Sequence, residues 1–289
     1  MEPGKKRLAL HAPLLRFLLG LAVLVAPGAA PRAESGKDAH ELTFGSVAMD
    51  IPAEMHRRLR PLMDYLSAEL KRPVQLKLSA DLSKAAAELA SGNVDIAYLT
   101  PVAYIKAQRA GGARLVAKTV TRGDKSFRLM LVVRRDSPIK SVRDLVGKSF
   151  AFGDPAAILQ RAVLVNAGVK LEQLGSYKFI GHYDNIARSV ANGDFDAGIL
   201  KDTTAYEWER KGLRVLHASP PLPPYNIAVS KRVDEPTRNA LRQALLRLDP
   251  RDPAHRNVVE SLDKNYDGFA SVTDAEYDVV RMLVKPFEK

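Results

Sequence analysis

Hydroxyl-bearing side chains lie at or just beyond the ends of two predicted strands, and they are the groups best suited to chemistry. Ser46 falls near the end of the strand predicted from Glu41 to Val47. Tyr98 and Thr100 lie where a later strand ends, and Tyr104 follows one helical turn on. Their hydroxyls can donate hydrogen bonds to a ligand and the rings can form an apolar wall, although ordinary packing is the alternative for either tyrosine.

Catalytic groupings are missing from the sequence. An exported enzyme would need a nucleophile beside a base, or clustered carboxylates. The chain holds no Gly-x-Ser-x-Gly motif, no P-loop and no metal-binding motif. It has no cysteine, which excludes disulfides and thiolate metal sites. We therefore predict a protein that is not an enzyme and uses no cofactor and no metal.

The first 33 residues have the pattern of a secretory signal peptide. A basic start (Lys5, Lys6, Arg7) precedes an apolar run from Leu14 to Val25, and small residues follow. The run is too short to span a bilayer comfortably, although an N-terminal membrane anchor is the alternative. We expect residues 1–33 to be removed and the mature chain to reside in the periplasm.

The net charge of the chain does not identify a binding partner. Residues 1–33 carry five basic residues and one glutamate, so +7 of the total +11 belongs to the mature part. The basic residues are spread along predicted helices and do not alternate with aromatic residues, which favours a solvated surface over a nucleic-acid site. An anionic ligand is compatible with this surface.

Predicted strands and helices alternate along the mature chain, which indicates an α/β fold. Pro61 is expected to kink the first helix or to mark a late start, and Asp154 with Pro155 is expected to cap and open a helix. After Ser230 the rest of the chain is predicted to be helical, in three segments: Glu235 to Leu248, Ala254 to Asp263, and Asp274 to Val284. Residues 90–97 and 191–198 resemble each other, so either two lobes share one helix–turn–strand unit or two common turns match by chance.

Several segments, in this order and spacing, resemble the phosphate/phosphite/phosphonate-type substrate-binding proteins of ABC transporters. These segments are Leu62 to Leu66, Ser91 to Ala97 with Thr100, Pro101 and Tyr104, Val132 to Ser137, Asp144 to Lys148, Phe150 to Pro155, Gly181 to Asp184, Asn192 to Ala197, and Asp267 to Phe269. The resemblance implies a type II periplasmic binding protein, with two α/β lobes joined by a two-strand hinge. Lobe one would comprise residues 34–125 and 220–289, and lobe two residues 126–219.

The resemblance also implies a ligand site in the cleft between the lobes, lined by strand ends and helix starts. Ser46, Tyr98, Thr100 and Tyr104 would come from lobe one. Lobe two would contribute Asp154, Ala156, Ala157, His182, Tyr183, Asp202 and Thr203. His182 could bind an oxyanion, could position Asp184 or Tyr183, or could simply be hydrogen-bonded to the backbone. Thr203 could instead be a helix N-cap. The family places serine and threonine hydroxyls where this chain has Ala156 to Leu159, so the ligand itself is not determined.

The predicted function is capture of a small oxyanion, phosphonate-like, by a monomeric protein that delivers it to an ABC permease. A periplasmic sensor that presents its ligand to a histidine kinase is the alternative. An exported enzyme is the third reading, and nucleic acid is not an expected partner.

Overall fold

The computed structural model describes residues 41–47 and 51–288. The predicted signal peptide, residues 1–33, lies outside the described residues. Within those two ranges, no helix is both long enough and apolar enough to cross a membrane.

The first lobe is built on a mixed sheet of six strands in the order β11-β4-β10-β3-β1-β2. Its strands are β1 (Leu42–Val47), β2 (Val74–Ser79), β3 (Ile96–Leu99), β4 (Arg114–Thr121), β10 (Asn226–Val229) and β11 (Tyr266–Ala270). The strands β1, β2 and β3 run parallel, whereas β10 is antiparallel to both β3 and β4. The carboxyl ends of β1 and β3 therefore meet at one edge.

The second lobe is built on a five-stranded sheet in the order β7-β6-β8-β5-β9. Its strands are β5 (Leu129–Arg134), β6 (Ser149–Phe152), β7 (Ser176–Phe179), β8 (Ala197–Lys201) and β9 (Leu213–Ala218). Side chains of β5 alternate between two apolar layers: Leu131 and Val133 enter one, Met130 and Val132 the other. Because successive side chains point to opposite faces and both faces are buried, every position of the strand interior is apolar.

Helices cover both sheets. They are α1 (Pro52–Leu70), α2 (Leu82–Ser91), α3 (Pro101–Gly111), α4 (Ile158–Asn166), α5 (Tyr183–Asn192), α6 (Asp202–Glu209), α7 (Glu235–Leu246), α8 (Pro253–Glu260) and α9 (Asp278–Val284). The apolar cluster on one face of the first sheet includes residues of α1, α7 and α8, and the cluster on the other includes α2 and α3. Near the C-terminus, α9 packs against α3 of the first lobe and α4 of the second.

The chain crosses between the lobes twice, through residues 122–128 and 219–225. The two crossing segments are hydrogen-bonded to each other, since the amides of Phe127 and Leu222 each donate to the other's carbonyl at 3.0 and 2.8 Å. The buried Ser219 adds to this junction, because its hydroxyl accepts from the amide of Leu129 at 3.0 Å. The predicted two-lobe α/β architecture with a two-strand hinge is confirmed.

The sequence repeat corresponds to a repeated structure. Asp95 accepts hydrogen bonds at 2.9 Å from both the amide and the hydroxyl of Thr43, the second residue of β1. Asp196 does the same with Ser149 in the second lobe, at 2.9 and 2.8 Å. In both lobes a glycine with positive φ, Gly92 or Gly193, ends the preceding helix. The shared unit is therefore a structural one, which two chance turns would not explain.

This carboxylate predicts a pH-dependent contribution to stability. Replacing Asp196 by alanine should lower the free energy of unfolding by about 1 kcal/mol, the usual scale for such bonds. Burial alone would raise the pKa of Asp196, but the bonds from Ser149 outweigh it and the pKa is lowered from 3.8. The contribution is thus present above pH about 4 and is lost as the pH falls through the lowered pKa.

The matched control is Asp194→Ala, two residues away, because the structure shows no side-chain partner for Asp194 among the described residues. Urea unfolding at pH 7 should leave this variant within about 0.5 kcal/mol of the parent. Equal losses for the two variants would contradict the assigned role of Asp196.

Two local predictions, and one of the two alternatives for Pro61, are wrong. The late start at Pro61 is wrong, because α1 begins at Pro52 and continues through Pro61 to Leu70. The helix α4 begins at Ile158, since Asp154 and Pro155 form a turn in which the Asp154 carboxylate accepts from the Ala156 amide at 2.6 Å. The predicted helical C-terminal region also contains β11, which pairs antiparallel with β4.

Candidate functional site

A cavity of about 550 Å³ lies between the lobes, where strand ends and helix starts from both sides come together. Its first-lobe lining is Ser46, Val47, Ala80, Asp81, Leu82, Tyr98, Thr100, Pro101 and Val102. Its second-lobe lining is Asp154, Ala156, Ala157, Ile158, Leu159, Gln160, His182 and Tyr183. Phe127, Leu129 and Tyr225, in or beside the crossing segments, complete it.

Most of the residues predicted from the sequence reach this cavity. They are Ser46, Tyr98, Thr100, Asp154, Ala156, Ala157, His182 and Tyr183. The cavity therefore brings together, from both lobes, groups that the sequence placed at strand ends and helix starts.

The other predicted residues lie elsewhere. Tyr104 is buried beside Tyr277, and its hydroxyl donates to Asp274 at 2.6 Å, so it forms part of the first-lobe packing. Asp202 accepts from the amide of Arg128 at 2.7 Å and holds the start of α6 against the crossing segment. Thr203 is not the N-cap of α6, because Lys201 occupies that position.

The helix starts around the cavity differ in the groups that accept hydrogen bonds from their first amides. Asp81 caps α2 and Thr100 caps α3 through side-chain acceptors, at 2.8 and 3.2 Å. Near α4, the Asp154 carboxylate takes one amide and nearby carbonyls take several others. His182 is the N-cap of α5 and makes no side-chain cap bond. The Asn185 amide donates to the His182 carbonyl at 3.0 Å, whereas the amides of Tyr183 and Asp184 have no acceptor among the described residues.

A buried glutamine fixes the loop beside that helix start. The Gln160 side chain accepts from the Gly153 amide at 2.8 Å and donates to the Tyr183 hydroxyl at 3.4 Å. A Cβ on Gly153 would lie 2.8 Å from the Gln160 amide nitrogen and 3.0 Å from the Gly181 carbonyl oxygen, so a larger residue there would displace the Gln160 side chain. Burial raises the pKa of Tyr183 to about 12, so its hydroxyl keeps its proton at neutral pH and can donate it.

Tyr98 offers its ring to the cavity, while its hydroxyl is engaged elsewhere. The hydroxyls of Tyr98 and Tyr266 are 2.5 Å apart. The Tyr98 ring stacks on Tyr225 with centroids 4.9 Å apart and an interplanar angle of 23°. Of the two roles predicted for Tyr98, the apolar wall fits this geometry better than the hydroxyl donor.

Two substitutions of Tyr98 can distinguish the contribution of its ring to ligand binding from that of its hydroxyl. Tyr98→Phe should leave the ligand dissociation constant within about twofold and cost about 1 kcal/mol of stability, because Tyr266 loses its partner. Tyr98→Ala should weaken binding roughly tenfold through lost apolar contact. Isothermal titration and thermal unfolding of both variants provide the check, and a Phe variant that binds as poorly as the Ala variant would restore the hydroxyl role.

Sequence reasoning did not place Asp81, Phe127, Gln160 or Tyr225 at the site. Tyr225 directly follows the Pro-rich segment from Pro220 to Pro224, whereas Phe127 lies in the other crossing segment, and Asp81 has a residue type that is common at helix N-caps. The Pro-rich stretch before Tyr225 was the available signal for a crossing. Across the described ranges, no cluster of three or more histidines and carboxylates suitable for a metal ion is found.

Comparisons with known proteins agree with this geometry. Residues 44–277 match the model of the ABC transporter, phosphonate, periplasmic substrate-binding protein family. The phosphonates-binding periplasmic protein of Escherichia coli is 22% identical over 282 residues, covering 92% of this chain and 81% of that protein. The phosphate-import protein PhnD of Mycolicibacterium smegmatis is 25% identical over 177 residues, covering 56% of this chain and 55% of its own length.

Solved structures give the fold. PhnD1 from Prochlorococcus marinus, in complex with methylphosphonate, has a TM-score of 0.67 at 17% identity, covering 86% of this chain and 98% of that one. This likeness identifies the fold as that of a type II periplasmic binding protein. Together with the family match over most of the chain, it leads to one conclusion: the protein belongs to the phosphonate-type periplasmic substrate-binding proteins of ABC transporters.

Proposed function

We propose that this protein captures a phosphonate-like oxyanion in the cavity between its lobes and presents it to an ABC permease. The observation that carries the proposal is the start of α5, where His182 and Tyr183 line the cavity, His182 makes no side-chain cap bond, and the amides of Tyr183 and Asp184 have no acceptor among the described residues. A helix start supplies backbone N–H donors and the positive end of the helix dipole, which suit an anion. The names of the two curated relatives, for phosphonates and phosphate, support the same ligand class.

Neutral donors from both lobes complete the anion site. The Thr100 hydroxyl accepts from the Ala103 amide and keeps its own proton for a ligand. The Tyr183 hydroxyl accepts from Gln160 and likewise keeps its proton. A ligand that contacts both groups touches both lobes, and only the closed arrangement offers both contacts, so binding favours closure.

The test is direct binding to the purified mature protein. Methylphosphonate, phosphite and phosphate are titrated separately, with sulfate as a matched tetrahedral anion. A ligand at 100 times its dissociation constant should add about 2.7 kcal/mol to the free energy of unfolding, which a thermal-shift measurement resolves. Stabilisation by a phosphorus oxyanion supports the proposal, and the absence of stabilisation by all of them would contradict it.

The permease role has a separate readout in cells. A deletion strain should lose uptake of the bound compound, and the parent chain should restore it. Normal uptake in the deletion strain, together with tight binding by the purified protein, would favour the sensor alternative over transport.

A further inference from the structure

Apolar side chains form most of the cavity wall on both lobes. Val47, Leu82 and Val102 lie on the first-lobe side. Ile158 and Leu159, at the start of α4, lie on the second-lobe side. These side chains cannot hydrogen-bond an oxyanion, but they gain by covering an apolar group and removing it from water. The wall therefore favours a ligand that has an apolar part.

Aromatic rings line the cavity beside the hinge. Tyr98 and Tyr225 form the stacked pair, and Phe127 follows in the other crossing segment. The Tyr98 hydroxyl is bonded to Tyr266, so the pair presents ring surface more than donor groups. Ring surfaces of this kind pack well against another flat or apolar group.

Charge around the cavity disfavours a compact anion with no organic part. Among the cavity-lining residues of the described chain there is no lysine or arginine, whereas Asp81 and Asp154 both contribute carboxylates. Lys201 is not among the lining residues, and its ammonium group lies over the Phe127 ring, 5.7 Å from the ring centre. The two carboxylates in the lining repel a compact anion such as phosphate, whereas a ligand charged at one end can keep its anion at α5.

The volume of the cavity also favours a ligand with an organic part. The cavity volume of about 550 Å³ lies within the range of roughly 300–1,000 Å³ that accommodates drug-sized ligands. We infer that the preferred ligand is an organophosphonate whose organic group is apolar and at least as large as an aromatic ring. This inference rests on the proposed function, since the phosphonate head is the group held at α5.

The experiment compares phenylphosphonate with methylphosphonate by isothermal titration at several temperatures. Phenylphosphonate should bind at least about tenfold more tightly, with the more negative heat-capacity change that marks burial of apolar surface. Equal or tighter binding of methylphosphonate would overturn the inference and leave the proposed function intact. Binding of neither compound would overturn the inference, and it would overturn the proposed function as well if phosphite and phosphate also fail to stabilise the protein.

A cavity-filling variant tests whether the apolar wall is responsible for the preference for phenylphosphonate. Val102→Trp should weaken phenylphosphonate binding by more than about tenfold while methylphosphonate stays within about twofold, because the larger side chain occupies the space for the ring. Val146→Trp is the matched control, since Val146 is 50% exposed and lies outside the cavity. A uniform loss for both ligands in folded Val102→Trp protein would count against the inference. If that variant does not fold, Ile158→Thr supplies the same comparison by making the wall polar.

Discussion

Replacing His182 by alanine should weaken the binding of a phosphonate by about thirtyfold, that is, by about 2 kcal/mol, the usual scale for a hydrogen bond to a charged group. His182 is exposed and lines the cavity, and it makes no side-chain cap bond to α5. Its ring nitrogens are thus available to a ligand. Isothermal titration with methylphosphonate or phenylphosphonate measures the loss.

The matched control is His56→Ala, since His56 is also exposed but lies on α1, outside the cavity. That variant should bind as the parent does. His182→Gln should recover part of the affinity, because the glutamine amide can still donate to an oxyanion. Parent-like affinity in His182→Ala would mean that backbone amides alone hold the anion, and would remove His182 from the site.

The architecture was predictable because it depends on patterns that are local in sequence. The apolar spacing of Met55, Leu59 and Leu62 predicts a helix with one buried face, and that face is buried. The Gly92 and Gly193 turns, each followed by an aspartate, predicted a unit that occurs in both lobes. Each of these signals spans about ten residues of chain, within which secondary-structure propensity and the apolar pattern agree.

What could not be predicted depends on contacts between distant residues. The strand β11 pairs with β4 across about 150 residues of chain, and nothing local distinguishes it from the neighbouring helical segments. The turn at Asp154 and Pro155 has the same composition as a helix start, and only the tertiary setting selects the turn. Phe127 and Tyr225 join the site because the two crossings lie side by side.

The most informative difference from the family is the run from Ala156 to Leu159, where the resemblance predicts serine and threonine hydroxyls. Ala156 and Ala157 line the cavity, so hydroxyls placed there would face a ligand. Replacing both alanines by serine should strengthen methylphosphonate binding by about tenfold, since each new donor adds a charge-assisted bond against the cost imposed by Asp154. Titration of the double variant measures this gain, and Ala53→Ser on the exposed part of α1 is its control.

The carboxylate of Asp154 determines how large that gain can be. It accepts from the Ala156 amide at 2.6 Å and lines the cavity, so its negative charge lies beside the two introduced serines. Asparagine can accept the same bond without the charge. Adding Asp154→Asn to the two serines should therefore improve methylphosphonate binding beyond the double variant, and should reduce the advantage of phenylphosphonate. If neither set of substitutions alters the affinity, the anion lies away from α4, and the start of α5 with His182 carries its recognition alone.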